Sequence, residues 1–284
     1  MTDASTWREV LSDTAVTLGD EREARFLCEH AAGLNASEFA AAIDEQLTQR
    51  MGLHLQEMTR RRLAGEPLQY VMGRWAFRHL DLMVDRRVLI PRPETEMVAE
   101  VALKIAQACS APRVVVDLGT GSGAIGLSLA HELPLDGTTV WLTDASADAL
   151  DVARANLAGI GRAGSNVRVT QGDWYAALPT SLRGTIDVIV TNPPYIAVDD
   201  PQVEQTVANH EPHQALFAGS DGLDALRVIV AEAPDWLRGG GVLVCEIGHR
   251  QGDVVRELMT NAGLRDSEVR QDLQGRDRIA VARR

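Results

Sequence analysis

The chain has 284 residues, of which 45% are hydrophobic, so it is long enough to bury a full core and predicts one large domain plus a smaller one. Its net charge of -12 excludes a global basic field that would attract DNA or RNA, which disfavours nucleic acid as a partner. Cys28, Cys109 and Cys245 are far apart and show no ligand spacing, so neither a disulfide framework nor a bound metal is expected.

The amino-terminal region predicts helices and no strand. Its first twenty residues contain several charges and no apolar signal segment, and no run of eighteen apolar residues occurs later, so we expect a soluble cytoplasmic protein outside the membrane. Apolar side chains recur at helical spacing behind a predicted capping box of Asp20 and Glu23. A further helix is predicted to begin at Ser37 and to bury Phe39, Ile43 and Leu47. Residues 1–70 therefore predict a small helical domain.

After residue 70 the pattern changes from helices to strands. Leu80, Leu82 and Val84 alternate with other residues, so residues 71–90 are predicted to form a β-hairpin connector. A helix is predicted from Glu94, and strands are predicted at 113–117, 139–143, 167–171, 186–190, 242–246, 267–270 and 278–282. The segments between the first five strands are long enough for crossover helices, whereas the last two strands have a short link. Residues 91–284 thus predict an α/β domain with a Rossmann-like, doubly wound sheet and an antiparallel C-terminal edge hairpin.

A glycine-rich loop follows the first predicted strand of this domain. It consists of Gly119, Thr120, Gly121, Ser122 and Gly123. The glycines let the backbone pass close to a ligand, and the start of the next helix supplies free N–H groups, so a nucleotide-like cofactor is predicted here. With Gly126 the spacing also satisfies the dinucleotide fingerprint, and by this pattern alone an NAD enzyme is possible.

A carboxylate at the mouth of the loop argues against NAD. Asp117 would repel a pyrophosphate, but it can pair with the ammonium of a methionine-like tail near a sulfonium. S-adenosylmethionine carries both positive charges and no phosphate. We therefore predict S-adenosyl-L-methionine as the cofactor and S-adenosyl-L-homocysteine as its product.

The next two strands end in residues that suit the nucleoside part of this cofactor. Asp144 is predicted to accept hydrogen bonds from the two ribose hydroxyls, although an aspartate before a helix is also a common N-cap. Asp173 and Trp174 are predicted to contact the amino group and the ring face of adenine. A tryptophan after a strand also often serves only as packing.

A rigid polar tetrapeptide, Asn192-Pro193-Pro194-Tyr195, follows the buried strand at 186–190, where open α/β sheets bind ligands. Its prolines fix φ and remove two donors, so Asn192 and the carbonyl of Pro193 are predicted to accept both N–H groups of a planar amide or exocyclic amine. This would aim the nitrogen at the methyl on sulfur, with Tyr195 walling the pocket. A Pro-Pro pair alone often only turns the chain.

The segments DLGTGSG, TDAS, GDWY and NPPY together resemble class I S-adenosylmethionine-dependent methyltransferases that act on nitrogen. PLQYVMG, IPRPETE and EPHQALFAGSDGLDALR are similar to the HemK/PrmC family, and this resemblance spans nearly the whole chain. The family methylates the glutamine side-chain amide in the Gly-Gly-Gln loop of class I peptide chain release factors. The resemblance implies cofactor contacts at residues 119–123, Asp144, Trp174 and Asn192, a substrate glutamine held by residues 192–195, and a helical N-terminal domain that helps dock the release factor.

Two flanking motifs have more than one interpretation. In IPRPETE, Pro91 and Pro93 can simply begin a helix with Glu94 in its first turn, or the motif can take part at the active site. Glu211, Pro212 and His213 can form a flap over the site, and His213 can equally be an ordinary loop histidine.

Two other functions are consistent with parts of the sequence. NPPY recognises a planar NH2 group and not a particular polymer, so a methyltransferase acting on adenine N6 or another exocyclic amine of nucleic acid is the main alternative. The acidic composition and the lack of a basic, aromatic-rich appended domain count against it. A noncatalytic module that binds the cofactor and acts through protein contacts is disfavoured by Asn192 and Asp117.

Overall fold

The computed structural model describes residues 5–201 and 205–284. The chain divides into two compact units, of which the first ends at Arg74 and the second begins at Trp75. Within the described ranges no helix has the length and apolar character needed to cross a membrane, and the longest has 16 residues. The functional division into residues 1–70, 71–90 and 91–284 stays a prediction.

The described part of the first unit contains five helices around one apolar core. They are α1 (Trp7–Leu18), α2 (Glu21–Ala32), α3 (Ala36–Ala41), α4 (Gln49–Leu63) and α5 (Leu68–Met72). Trp7 and Phe39 meet edge to face in this core, with ring centroids 5.5 Å apart. The helical character predicted for this region is thus present in the structure.

Two local predictions in the first unit were wrong in detail. Asp20 caps α2 through the backbone N–H groups of Arg22 and Glu23, but the Glu23 side chain does not complete a capping box. It forms an ion pair with Arg62 of α4 at 2.6 Å, because this tertiary partner is a cation and the backbone N–H of Asp20 is not. Reciprocal boxes occur instead at Thr6, before α1, and at Asn35, two residues before the predicted helix start at Ser37.

That third helix is also shorter than its apolar spacing suggested. It ends at Ala41, so Ile43 and Leu47 lie beyond it, yet both pack half-buried against the same core as Phe39. Apolar residues in a loop can reach a core without helical geometry, which a spacing argument alone does not distinguish.

From Arg74 onward, the described residues form one short hairpin, whose first residue still belongs to the first unit, and one large sheet. The hairpin consists of β1 (Arg74–Phe77) and β2 (Leu80–Met83), inside the predicted 71–90 connector. The helices are α6 (Pro93–Ala108), α7 (Ala124–Glu132), α8 (Ala147–Gly159), α9 (Gln205–His210), α10 (Asp224–Trp236) and α11 (Gly252–Asn261). The strands are β3 (Arg113–Leu118), β4 (Thr138–Asp144), β5 (Val167–Gln171), β6 (Ile186–Thr191), β7 (Leu237–Glu246), β8 (Arg265–Gln271) and β9 (Asp277–Arg283).

The large sheet confirms the predicted fold class. Its strand order is β5-β4-β3-β6-β7-β9-β8. The first five strands pair in parallel, whereas β9 pairs antiparallel with both β7 and β8. The chain order reverses between β3 and β6, where Asp117 lies opposite Val190. Such a switch point opens a crevice at the carboxyl ends of the two strands, so the loops that follow β3 and β6 lie side by side.

Alternating side chains on the central strands bury both faces of the sheet. Val115 and Val188 join the core beneath α6 and α7, whereas Val116 and Ile189 join the core beneath α10 and α11. All six residues of β6 are buried, as expected for a central parallel strand covered by helices on both sides. The two cores hold the carboxyl edge of the sheet in place.

The β1–β2 hairpin is tied to the glycine loop by a single side chain. Asn156 on α8 accepts from the backbone N–H of Met83 at 2.7 Å and donates to the Met83 carbonyl at 3.0 Å. Its amide nitrogen also donates to the carbonyl of Ser122 at 2.8 Å. A buried amide thereby links three segments around the carboxyl edge.

A candidate active site at the carboxyl edge of the sheet

The loop after β3 turns sharply beneath the start of α7. Gly119, Gly121 and Gly123 have φ values of 68°, 55° and 88°, a region that favours glycine. The Thr120 hydroxyl donates to Asp117 Oδ2 at 2.6 Å, and the backbone N–H of Gly126 donates to the same oxygen at 2.9 Å. Asp117 thus fixes the loop against the first turn of α7.

The Asp117 carboxylate is only half satisfied by these bonds. The residue is 1% exposed, and its Oδ1 has no hydrogen-bond partner among residues 5–201 and 205–284. Burial raises the pKa of Asp117 to about 7, against the opposing effects of the Thr120 and Gly126 bonds and with a small further rise from the charge of Asp144. An unpartnered carboxylate oxygen beneath the loop indicates a site for a positive charge.

Asp144 ends β4 with both oxygens directed to backbone donors. Its Oδ2 accepts from the N–H of Gly121 and its Oδ1 from the N–H of Ser146, each at 2.9 Å. Burial raises the pKa of Asp144, and these backbone bonds lower it. Ser146, not Asp144, is the N-cap of α8, since it accepts from the N–H of Ala149. Helix capping therefore does not account for Asp144, which joins the second strand to the glycine loop.

Trp174 lies against the glycine loop in an unusual backbone conformation. Its φ is 43°, which is rare for a bulky residue, and it begins a short 3-10 turn. A Cβ atom added to Gly119 would lie 3.1 Å from the Trp174 ring, so the glycine allows the ring to approach. Trp174 also packs partly against the core beneath α10, and Asp173 beside it is exposed. The packing interpretation and the ligand interpretation of Trp174 are therefore compatible.

The tetrapeptide after β6 is held at both ends by one buried carboxylate. Asn192 donates through Nδ2 to the Thr95 hydroxyl at 3.2 Å, and that hydroxyl donates to Glu246 Oε2 at 2.7 Å. The Tyr195 hydroxyl donates to Glu246 Oε1 at 3.1 Å. Glu246, the last residue of β7, is 1% exposed, and burial raises its pKa. Burial also raises the pKa of Tyr195 above its ordinary range, so the phenol keeps its proton.

The backbone that follows the two prolines is fixed as well. Gln251 donates to the carbonyl of Tyr195 at 3.0 Å, and the N–H of Ile196 donates to the carbonyl of Leu216 at 3.0 Å. A Cβ atom on Gly222 would lie 2.4 Å from the Tyr195 carbonyl oxygen, so that position accepts only glycine. The tetrapeptide is consequently a rigid element.

Two cavities meet at this tetrapeptide. The larger, about 270 Å³, is lined by Arg87, Val88, Leu89, Gly119, Gly121, Asp144, Ala145, Ser146, Ala149, Gly172, Asp173, Trp174, Asn192, Pro194, Pro212, Gln214 and Ala215. The smaller, about 90 Å³, is lined by Leu89, Arg92, Asn192, Pro193, Tyr195, Ile196, Val207, Ala215 and Leu216. Asn192 is thus a wall that both cavities share.

The structure separates the predicted site residues into two sets. Those that line a cavity are Gly119, Gly121, Asp144, Asp173, Trp174, Asn192, Pro193, Pro194 and Tyr195. Asp117, Thr120, Ser122 and Gly123 lie outside both linings and instead shape the loop from beneath. Within the glycine loop, Gly119 and Gly121 line a cavity and the other three residues do not, which the motif alone does not reveal.

Sequence reasoning missed Thr95, Glu246 and the side chain of Gln251. Thr95 belongs to IPRPETE, whose Pro93 does begin α6, with Glu94 in its first turn. The motif also contacts the segment at Glu211, whose carboxylate accepts from the N–H of Ile90 at 3.0 Å and pairs with Arg92. The helix-start interpretation of IPRPETE is therefore confirmed, and its part at the active site stays a prediction. His213 contacts the carbonyl of Ala208, as a loop histidine does.

Comparisons with known proteins agree with this geometry. The sequence family described as the methyltransferase small domain matches residues 99–218, and the PrmC N-terminal domain matches residues 7–73. A methyltransferase from Pyrococcus furiosus shares the fold with a TM-score of 0.53 and 19% identity, covering 80% of this chain and 98% of that one. The fold and the glycine loop define a class I methyltransferase.

Close sequence relatives specify the family. A release factor glutamine methyltransferase from Xylella fastidiosa (strain 9a5c) is 47% identical over 228 residues, which is 80% of each chain. One from Burkholderia pseudomallei (strain K96243) is 41% identical over 267 residues, covering 93% of this chain and 92% of the relative. The chain belongs to the family of release factor glutamine methyltransferases, so the family resemblance read from the motifs is confirmed.

Proposed function

We propose that this enzyme transfers the methyl group of S-adenosyl-L-methionine to the side-chain amide nitrogen (N5) of the glutamine in the Gly-Gly-Gln motif of class I peptide chain release factors. The observation that carries the proposal is the position of Asn192 between the two cavities. Its amide nitrogen is occupied by Thr95, so its amide oxygen is the atom left to accept an N–H group. The names of the relatives indicate that this N–H group belongs to a glutamine of a release factor.

The larger cavity fits the cofactor. S-adenosylmethionine, when bound, supplies a methyl group on a positively charged sulfur. The half-satisfied Asp117 carboxylate would compensate a cationic ligand over the glycine loop, and Asp144 would accept from ribose hydroxyls. Trp174 and Asp173 would hold the adenine. NAD is disfavoured as the cofactor because Asp117 would repel its negatively charged pyrophosphate.

The smaller cavity fits the substrate amide. Asn192 and the carbonyl of Pro193 would accept both N–H groups of the glutamine side chain, while Tyr195 walls the cavity. An amide nitrogen is a poor nucleophile because its lone pair is delocalised, so fixing its geometry is the main contribution of these residues. Acceptors on both hydrogens also stabilise the positive charge that develops on nitrogen during attack. Asn192, Pro193 and Tyr195 are accordingly the catalytic residues in this proposal.

The helical region at the start of the chain would recognise the release factor. Residues 1–70, which include most of the stretch matching the PrmC N-terminal domain, are proposed to dock the protein substrate, with residues 71–90 as connector and 91–284 as the catalytic domain. Release factors act on ribosomes, so we place the reaction in the cytoplasm. Nucleic acid is a disfavoured substrate because the net charge is -12.

The decisive experiment offers labelled S-adenosylmethionine with one of four acceptors: a class I release factor, its Gly-Gly-Gln→Gly-Gly-Ala variant, DNA or ribosomal RNA. We expect label only in the intact release factor. Asn192→Ala should lower kcat roughly 10²- to 10³-fold and have a much smaller effect on the Kd for the cofactor, because the other lining residues of the larger cavity are unchanged. Label in nucleic acid and not in the release factor would establish the adenine-type alternative, and label in none would favour a noncatalytic module.

A further inference from the structure

Glu246 is a buried glutamate outside every sequence motif, and it connects the two ends of the tetrapeptide at residues 192–195. Glu246 lies on β7, next to β6 in the sheet, and each of its oxygens accepts one hydroxyl, from Thr95 and from Tyr195. Neither cavity is lined by Glu246. The residue is thus one hydrogen bond away from the groups that would contact the substrate.

The direction of these bonds has a chemical consequence. A threonine hydroxyl has one proton, and in Thr95 that proton is donated to Glu246. The Thr95 oxygen can then only accept, so the Asn192 amide must present its NH2 group to Thr95. The Asn192 amide oxygen is consequently turned toward a ligand. Without an acceptor at Glu246, Thr95 could donate to Asn192 and the amide would be free to present its NH2 group to the substrate.

We propose that Glu246 is a positioning residue that sets the orientation of the Asn192 amide through Thr95 and anchors Tyr195 directly. The inference rests on the proposed function, since it explains how that site selects an NH2 group over a carbonyl oxygen. An amide substrate carries both groups, and only the correct orientation of Asn192 distinguishes them. The chain of hydrogen bonds from Asn192 through Thr95 to Glu246, called the relay below, therefore determines which end of the glutamine amide points toward the methyl donor.

The surroundings of Glu246 favour a carboxylate that accepts from hydroxyls. Among residues 5–201 and 205–284, Arg278 is the cation that favours ionisation of Glu246, and the charge of Glu94 on α6 opposes it. The Arg278 guanidinium lies 3.5 Å from the Tyr195 hydroxyl and 3.6 Å from Asp272. A buried carboxylate held mainly by two neutral hydroxyls is costly for the fold. Glu246 therefore lowers the stability of the fold, and in return it fixes the orientation of the tetrapeptide.

The test compares three variants with Asn192→Ala. Thr95→Val removes the relay hydroxyl and Thr95→Ser keeps it, so kcat should fall roughly ten- to a hundredfold in the first and remain within about threefold of wild type in the second. Tyr195→Phe removes only the second anchor and should also lower kcat. The Kd for S-adenosylmethionine, measured by calorimetry, should stay unchanged in the Thr95 and Tyr195 variants, because neither residue lines the larger cavity.

A matched control is Asp187→Asn. Asp187 is another buried carboxylate of the same sheet, at the opposite end of β6, where it accepts from the N–H of Val114 at 2.7 Å and from Arg238. It should lower the melting temperature without lowering kcat. If Thr95→Val and Tyr195→Phe keep wild-type kcat while Asn192→Ala loses it, the relay is refuted and the proposed function stands. If Asn192→Ala also keeps activity, the proposed catalytic role of Asn192 fails, whereas the proposed function fails only if the intact release factor is not labelled.

Discussion

Two carboxylates with the same burial have opposite hydrogen-bonding states. Asp117 is the penultimate residue of β3 and Glu246 is the last residue of β7, and each is 1% exposed. In Asp117 both donors converge on one oxygen and the other oxygen is unpartnered among the described residues, whereas in Glu246 each oxygen has a hydroxyl. An incompletely satisfied buried charge indicates a site that a ligand completes, and a satisfied one indicates a support for other residues. The two sides of the active site differ in this way.

The largest expected effects come from neutralising each carboxylate in turn. Asp117→Asn should weaken S-adenosylmethionine binding roughly ten- to a hundredfold and leave kcat at saturating cofactor nearly unchanged. Glu246→Gln should instead lower kcat and leave the Kd for S-adenosylmethionine nearly unchanged, because the carboxamide replaces an acceptor by a donor at either Thr95 or Tyr195. Calorimetric Kd values and a methyl-transfer assay measure both. Equal effects on Kd and kcat in both variants would remove the distinction between the two carboxylates.

A larger side chain at Gly126, beneath the glycine loop, tests how tightly Asp117 is packed. A Cβ atom at Gly126 would lie 2.0 Å from Leu142 Cδ2 and 3.0 Å from the Asp117 side chain, so Gly126→Ala should cost about 1–3 kcal/mol of unfolding free energy. The measurement is chemical denaturation. Gly159→Ala is the control, since nothing lies within 4 Å of its added Cβ, and it should be neutral or slightly stabilising. Equal stability of the two variants would show that the loop packing is loose.

The raised pKa of Asp117, about 7 in the free enzyme, predicts a pH dependence of cofactor binding. A cationic ligand favours the ionised form, so the Kd should rise as pH falls below about 7, by up to about tenfold per unit. For folding the sign is opposite: a raised carboxyl pKa means that the free folded protein binds the proton more tightly, so this group lowers stability as pH rises toward 7. Asp117→Asn should flatten both profiles, and an unchanged Kd profile in that variant would assign the titration to another group.

The smallest effect is expected in the helical unit. Glu23 and Arg62 form an ion pair with about a quarter of each side chain exposed, so Glu23→Gln should cost less than about 1 kcal/mol. The Kd for the cofactor should not change, because no lining residue of the larger cavity belongs to this unit. Thermal denaturation and calorimetry check the two statements, and a clear loss of cofactor affinity would contradict the second.

Prediction from sequence succeeded where structure depends on neighbouring residues in the chain. The parallel strands, the glycine turn and the rigid Asn192-Pro193-Pro194-Tyr195 loop each follow from short-range rules of periodicity and backbone geometry. It failed at Glu23, because Arg62 lies 39 positions away in the chain. It also missed Glu246, whose bond to Thr95 joins residues 151 positions apart. A buried glutamate at a strand end carries no local signal that separates support from ordinary packing.

The sequence by itself determined the fold class and the family, because motif residues are fixed by spacing within single loops. Only the tertiary structure decided which of these residues line a cavity and which lie beneath it. Asp117 lies beneath its loop and Asn192 lies on the wall of both cavities, although each stands at the carboxyl end of a buried parallel strand. The physical reason is that hydrogen-bond satisfaction of a buried group depends on partners from distant strands and helices, and folding alone brings those partners together.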